Sequence, residues 1–259
     1  MNALVGEVMA KVGGYRRDVQ SSKDWLFDQM GLAAATGMDT YVLKELTPIS
    51  DQGALNSCVG NATCDALEIL LGLEGNEVVQ LSRLDLYWKA RKLNNDTDKD
   101  DGTYITSAFK AMATLGVCPE SLFPYDESKV FTEPPVSALL SGNANKITGY
   151  YRIPVDYRAA GSIETAVRSN HPVVFGAPVD KAFVHLVGDK VVYKPNLTNL
   201  AGGHAMIIVG VRNYGASKQF LVRNSWGTDW GENGHVWMDA QYVSYMNDIW
   251  VPTRVQKIL

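Results

Sequence analysis

From Ser57 to Leu73 apolar residues recur at helical spacing (Val59, Ala62, Ala66, Leu67, Ile69, Leu70, Leu73), which predicts a helix. The turn-rich stretch DQGALNSC precedes it, with Asn56 or Ser57 as N-cap and Gly72 or Gly75 as the stop. Two more helices are predicted, from Ser82 to Leu93 and from Ile105 to Leu115, separated by the polar stretch NNDTDKDDG. After Pro135 the pattern changes. Ile147 to Ile153 and Val173 to Val179 are rich in aromatic and β-branched residues and predict strands, with a helix from Ser162 to Ser169 between them. Strands are also predicted at His204 to Val211, Gln219 to Arg223, His235 to Met238 and Ile249 to Val255, and a short extended lead at Tyr41 to Leu46. A helical first half and a β-rich second half predict an α+β fold with a cleft where the halves meet.

Composition narrows the function. Hydrophobic residues make up 46% and charged residues 20% of the 259, as in an ordinary globular protein. Net charge is −4 and no basic run stands out, so nucleic acid is not an expected partner. The three cysteines, Cys58, Cys64 and Cys118, are too few for a disulfide framework and suit a reducing compartment. His171, His185, His204 and His235 form no close ligand pair with a cysteine, so neither a metal nor another cofactor is expected. The opening MNALVGEVMAKVGG is broken by Glu7 and Lys11 before an apolar core develops, and no apolar run nears a bilayer's width. The expected location is the cytoplasm, or delivery without a standard signal peptide, with no membrane partner.

The chemistry centres on Cys58, at the predicted start of a long helix. Unpaired N–H groups and the positive end of the helix dipole favour a thiolate there. Cys64 lies nearly two turns further in and Cys118 in a turn, and both suit small buried hydrophobes. Among the histidines, His204 follows Gly202 and Gly203 and opens the apolar strand AMIIVGV. Twenty residues on, Asn224 begins NSWGTDWG, and an amide oxygen can hold one ring nitrogen so that the other faces a thiol. Trp226 is placed to cover that bond and Trp230 to pack. His185 lacks such a context, while His171 and His235 suit structural roles.

These segments resemble the papain-like cysteine peptidases. DQGALNSC is similar to the family's nucleophile stretch, with Gln52 six residues before Cys58. GGHAMIIVGV and FLVRNSWGTDWGENGHVWM resemble its histidine and asparagine segments, and DGTYITSAFKAMATLGVCPESLFPY its cleft loop and following helix. The resemblance covers roughly residues 38 to 255. It implies a two-lobed fold, with a peptidase domain over 38–259, a helical lobe at about 50–135 and a β-rich lobe at about 136–259. It implies a polypeptide substrate cleaved through Cys58, His204 and Asn224, with Gln52 in the oxyanion hole. It further implies that Gly102 and Thr103 pair with substrate backbone, and that Gly176 and Ala205 line the pocket for the second residue before the cleaved bond, leaving room for a bulky apolar side chain. Val59 stands where many relatives carry tryptophan, and Leu55 and Asn56 replace a cysteine and a glycine.

Residues 1–37 are too short for the family's usual pro-segment. They remain open as a blocking segment, an added strand or a docking arm, with an integral extension favoured. Two other functions stay open beside peptide hydrolysis: an acyltransferase or amidase on the same fold, and a non-catalytic peptide-binding homologue.

Overall fold

The computed structural model describes residues 12–44 and 47–254. The first half is built on helices α1 (Cys58–Leu73), α2 (Arg83–Leu93) and α3 (Ile105–Thr114), followed by the short α4 (Val136–Ser141). Helix α5 (Ala159–Arg168) and the single turn α6 (Lys181–Val184) belong to the second half. Fourteen of the sixteen residues of α1 are buried, from Cys58 through Leu71, so it is enclosed on all sides rather than amphipathic. Helix α2 is capped by Ser82, whose hydroxyl accepts from the Asp85 N–H at 3.1 Å.

Strands β1 (Tyr15–Arg16), β2 (Tyr41–Val42) and β3 (Thr103–Tyr104) are short. The longer ones are β4 (Gly149–Arg152), β5 (Val173–Asp180), β7 (Leu200–Tyr214), β8 (Ser217–Arg223), β9 (His235–Asp239) and β10 (Asp248–Thr253), with the two-residue β6 (Val191–Val192) at one edge. An eight-stranded sheet runs β4-β10-β5-β7-β8-β9-β6, with β2 added to β7. Helix α1 packs against β7, so its first residue meets the middle of the sheet. Register fixes what lies side by side there. Asp248 on β10 pairs with Gly176 on β5, and Gly176 pairs with Ala205 on β7. Directly paired residues project to the same face, so these three positions line up across it.

The two halves are tied by a buried charge cluster. Arg83 on α2 donates to Asp65 at 2.6 Å and to Glu68 at 2.9 Å, both on α1. Arg223 on β8 donates to the other oxygen of Asp65 at 3.0 Å and to the Pro48 carbonyl at 2.7 Å. Arg83, Asp65 and Glu68 are all at most 2% exposed, so each charge depends on its partners.

Most predicted elements stand, with several bounds shifted. Helix α5 starts three residues before Ser162, at Ala159, and β7 runs well past both ends of His204–Val211. Long strands extend because pairing on both sides satisfies backbone groups wherever neighbours reach. Of the lead Tyr41 to Leu46, only Tyr41–Val42 is strand, and residues 45–46 lie outside the described residues, as does Val255. The polar loop is more tied down than a solvated turn. Arg16 donates to Asp96 at 2.7 Å, while Asp100 accepts from the Asn56 N–H at 3.1 Å and from the Tyr87 hydroxyl at 2.6 Å. Among the described residues, no helix is long and apolar enough to cross a membrane.

Arg83→Met is expected to lower unfolding free energy by about 3–5 kcal/mol, because Glu68 loses its buried cation and Asp65 keeps only Arg223. Urea denaturation followed by tryptophan fluorescence measures it. A change under about 1 kcal/mol would mean that the cluster does not hold α1 to its neighbours.

Candidate active site

Cys58 is the first residue of α1 and is fully buried. The residue before it, Ser57, sits at the N-cap position but makes no side-chain cap bond. Its hydroxyl is engaged by the Tyr125 hydroxyl at 2.6 Å and by the Asn61 amide at 3.0 Å instead. The helix N-terminus is thereby left to the sulfur: the N–H groups of Cys58 and Val59 favour its charged form, and so does that of Ala205 from β7. Cys64 and Cys118 are also buried and free of disulfides, and neither lies at a helix start.

His204 is buried on β7, one residue before Ala205. Its Nε2 lies 2.7 Å from Asn224 Oδ1. The same amide oxygen accepts from the Ser225 N–H at 2.8 Å, which assigns it as oxygen and makes Nε2 the protonated nitrogen. In the neutral ring Nδ1 then carries the lone pair, and in this closed arrangement it has no hydrogen-bond partner. Trp226 stacks on the imidazole at 4.3 Å, tilted by 26°, and shields the bond to Asn224. Trp230 packs edge-on to Trp226 at 5.5 Å and donates to the Phe183 carbonyl at 2.9 Å.

Gln52 joins this network. Its backbone N–H donates to the Ser225 carbonyl at 2.9 Å, and its side-chain oxygen accepts from the Ser225 hydroxyl at 2.7 Å. Its amide nitrogen donates to the Leu55 carbonyl at 2.9 Å. Gln52, Ser225, Asn224 and His204 therefore form one hydrogen-bonded series beside the start of α1.

Residues 13–16 lie between the two halves, above this series. The Gly13 N–H donates to the Gly203 carbonyl and the Thr103 N–H donates to the Gly14 carbonyl, each at 3.0 Å. One side of the segment is thus held by the second half and the other by the first, where β1 runs parallel to β3. Glycine is required on both walls. A Cβ on Gly102, whose φ is +76°, would lie 2.2 Å from the Gly14 carbonyl oxygen, and a Cβ on Gly176 would lie 2.2 Å from the Tyr15 ring. Of the four positions named for substrate contact, Gly102, Thr103 and Gly176 touch this segment. Ala205 pairs with Gly176 and turns its N–H towards the Cys58 sulfur.

The sequence reading passed over Asp248, which accepts a hydrogen bond from the Tyr15 hydroxyl. A lone acidic residue opening the apolar run DIWV was the available signal, because a charge in a buried strand needs a partner.

The family model described as papain family cysteine protease matches residues 35–249. The chain belongs to the papain family of cysteine proteases. An uncharacterized peptidase C1-like protein of Acanthamoeba polyphaga mimivirus is 33% identical over 218 residues, covering 78% of this chain and 68% of that one. Cathepsin K of Gallus gallus is 29% identical over 195 residues, covering 74% of this chain but only 54% of its own length. Among solved structures, xylellain, a cysteine protease from Xylella fastidiosa, superposes with a TM-score of 0.81 at 27% identity, covering 95% of this chain and 97% of that chain. Digestive procathepsin L 3 of Tenebrio molitor larval midgut shares the fold, with a TM-score of 0.69 at 22% identity, covering 97% of this chain and 78% of that chain.

In this papain-family chain burial acts on the protonation of both Cys58 and His204. Burial pushes the Cys58 thiol up to about 12 against the pull of the three N–H groups, and burial pushes His204 down to about 4 against its bond to Asn224. Burial thus disfavours the charged form of both groups, against the thiolate that the helix start favours. Desolvation outweighs the helix end.

The segment has a pH dependence of its own. Burial raises Asp18 from an ordinary 3.8 to about 6, opposed by its bonds from Thr106 and Trp250 and assisted by the charge of Asp248. Docked Asp18 thus binds a proton more readily than free Asp18. Its contribution to docking is greatest below about pH 4 and is lost as pH rises through about 6. Hydrogen exchange, corrected for intrinsic rates, is expected to show the Gly13 and Asp18 amides better protected at pH 4.5 than at pH 7. Equal or reversed protection would contradict the sign.

Proposed function

We propose that this chain is a cysteine endopeptidase that hydrolyses peptide bonds through Cys58, His204 and Asn224, and that residues 12–18 hold it closed. The observation that carries the reading is the orientation of His204. Its Nε2 is tied to Asn224 under Trp226, which leaves the Nδ1 lone pair as the base, on the strand whose next N–H faces the Cys58 sulfur.

When the segment lifts, water and substrate re-enter and the burial that holds both groups neutral is relieved. The thiol proton passes to His204 Nδ1, and the imidazolium is stabilised through Nε2–H and the Asn224 oxygen. The thiolate adds to the scissile carbonyl, and the Cys58 N–H and the Gln52 side-chain amide donate to the resulting oxyanion. Losing one such donor typically costs on the order of 100- to 1,000-fold in rate. His204 then returns its proton to the leaving amine as the C–N bond breaks, leaving a thioester on Cys58. Water, deprotonated by His204, releases the acid and restores the thiol.

The contacts of residues 12–18 support a blocking role. They occupy Gly102, Thr103 and Gly176, the positions named for substrate. Tyr15 contributes a buried ring and a hydrogen bond to a carboxylate, worth about 1.5–3 kcal/mol each.

A panel of fluorogenic peptides tests the proposal. Cys58→Ala should abolish turnover. Asn224→Ala should lower kcat by about 10- to 100-fold, the worth of one charge-assisted bond, while Cys58 stays alkylatable. Tyr15→Ala in the full chain should raise the initial rate by at least about 10-fold, since losing even one of its two contacts exceeds 1.4 kcal/mol. Turnover surviving Cys58→Ala, or acyl transfer to an added amine without hydrolysis, would overturn the peptidase reading. An unchanged rate in Tyr15→Ala would overturn the blocking role.

A further inference from the structure

The two donors assigned to the oxyanion come from different pieces of chain, the side chain of Gln52 and the first N–H of α1 at Cys58. Such a pair works only while its spacing holds to within about 0.5 Å. Tyr125, on the connection between α3 and α4, touches both pieces. Its hydroxyl donates to the Gln52 carbonyl at 2.8 Å and lies 2.6 Å from the Ser57 hydroxyl. A carbonyl can only accept, so the single phenol proton goes to Gln52 and Ser57 must donate to the phenol oxygen. The Asn61 amide in turn donates to the Ser57 hydroxyl at 3.0 Å and to the Ser57 carbonyl at 3.1 Å. The result is a one-way relay from Asn61 through Ser57 and Tyr125 to Gln52, in which each bond polarises the next. Its far end also closes a turn, because the Gln52 carbonyl accepts from the Leu55 N–H at 3.3 Å.

Tyr125 is itself held in place. Its N–H donates to the Glu120 carboxylate, and the Phe123 carbonyl accepts from the Ser82 hydroxyl at 2.6 Å. Its side chain packs against the small core that contains Leu55, Leu84, Tyr87 and Phe123. Burial holds the phenol above its ordinary pKa, so it remains a neutral donor at neutral pH. We propose that Tyr125 is a positioning residue of the oxyanion hole, whose hydroxyl sets the spacing of the two donors by tying the Gln52 backbone to Ser57. The inference rests on the peptidase reading above, and in it Tyr125 acts through Gln52 and the start of α1 rather than on substrate. Without the hydroxyl, the stretch between the donors stays anchored elsewhere. The Asn56 N–H still donates to Asp100 at 3.1 Å and the Ala54 N–H to Glu127 at 3.0 Å. The fold survives and the fine spacing is lost.

The test takes the full-length Tyr15→Ala chain as parent, so that the cleft is open. Adding Tyr125→Phe should lower kcat by about 10- to 100-fold with KM within about 2-fold, as for a displaced transition-state donor. Two thiol reagents separate this from a merely structural effect. A peptide aldehyde adds to Cys58 as a hemithioacetal whose oxygen occupies the oxyanion hole, and its affinity should fall by the same factor. Iodoacetamide alkylates the same sulfur by displacing iodide and forms no oxyanion, so its labelling rate should stay within about 2-fold of the parent's. Both reagents report on Cys58 without turnover, which separates failure of this inference from failure of the peptidase reading. In a Gln52→Ala background, Tyr125→Phe should cost less than about 3-fold, because a missing donor cannot be misplaced. Should Tyr125→Phe not fold, Ser57→Ala breaks the relay one link earlier and is expected to show the same split between aldehyde and iodoacetamide. Equal loss with both reagents, or no loss with the aldehyde, would overturn the proposal.

Discussion

Helix α1 is enclosed on every side, and the charge cluster of Asp65, Glu68, Arg83 and Arg223 fixes where it sits. Those four groups clamp it to α2 on one flank and to β8 on the other. Its first residue is consequently delivered against β7 at the level of Ala205. Everything at the site is measured from that meeting point. His204 precedes Ala205 on the same strand, Asn224 follows Arg223 at the end of β8, and Gly176 and Asp248 continue the row across the sheet. A shift of one residue in any of these pairings would turn the relevant side chain to the other face.

The closed cleft places opposing demands on the same groups. A helix end and three N–H groups favour a charged sulfur, while burial favours a neutral one, and burial prevails. Residues 13–18 use contacts of the kind an extended peptide makes: backbone bonds to Thr103 and Gly203, a ring in a glycine-walled slot, and a phenol on a carboxylate. The cover and the reactive group are thus coupled. In the reading proposed above, displacing Tyr15 opens the cleft in which Cys58 and His204 lie. Acid favours the cover through Asp18, so this arrangement loosens as pH rises towards neutrality.

Much of this was legible in the residues. The start of α1, the strand after Gly203 and the NSW segment each carry a local signal: turn residues, apolar runs and an amide at a turn. Trp226 was expected to cover the histidine–asparagine bond, and it stacks on His204. What could not be read depended on register between distant segments. Asp248 gains its meaning only by pairing with Gly176, 72 positions earlier. Tyr15 sits in a weakly periodic stretch, and its importance comes from glycines far along the chain. Gly176 and Ala205 were legible as small positions, but the carboxylate that register sets beside them was not. The full burial of the thiol likewise could not be read from its place at a helix start.

The central claim is that the Cys58 sulfur becomes covalently acylated. The full-length Tyr15→Ala chain should be mixed with an activated peptide ester, quenched in acid within milliseconds to seconds, and mapped by mass spectrometry. The account predicts one acyl group, carried as a thioester on the peptide containing Cys58 and absent in a Cys58→Ala background. Acyl groups on Cys64 or Cys118 instead, or ester turnover without an adduct at Cys58, would contradict it.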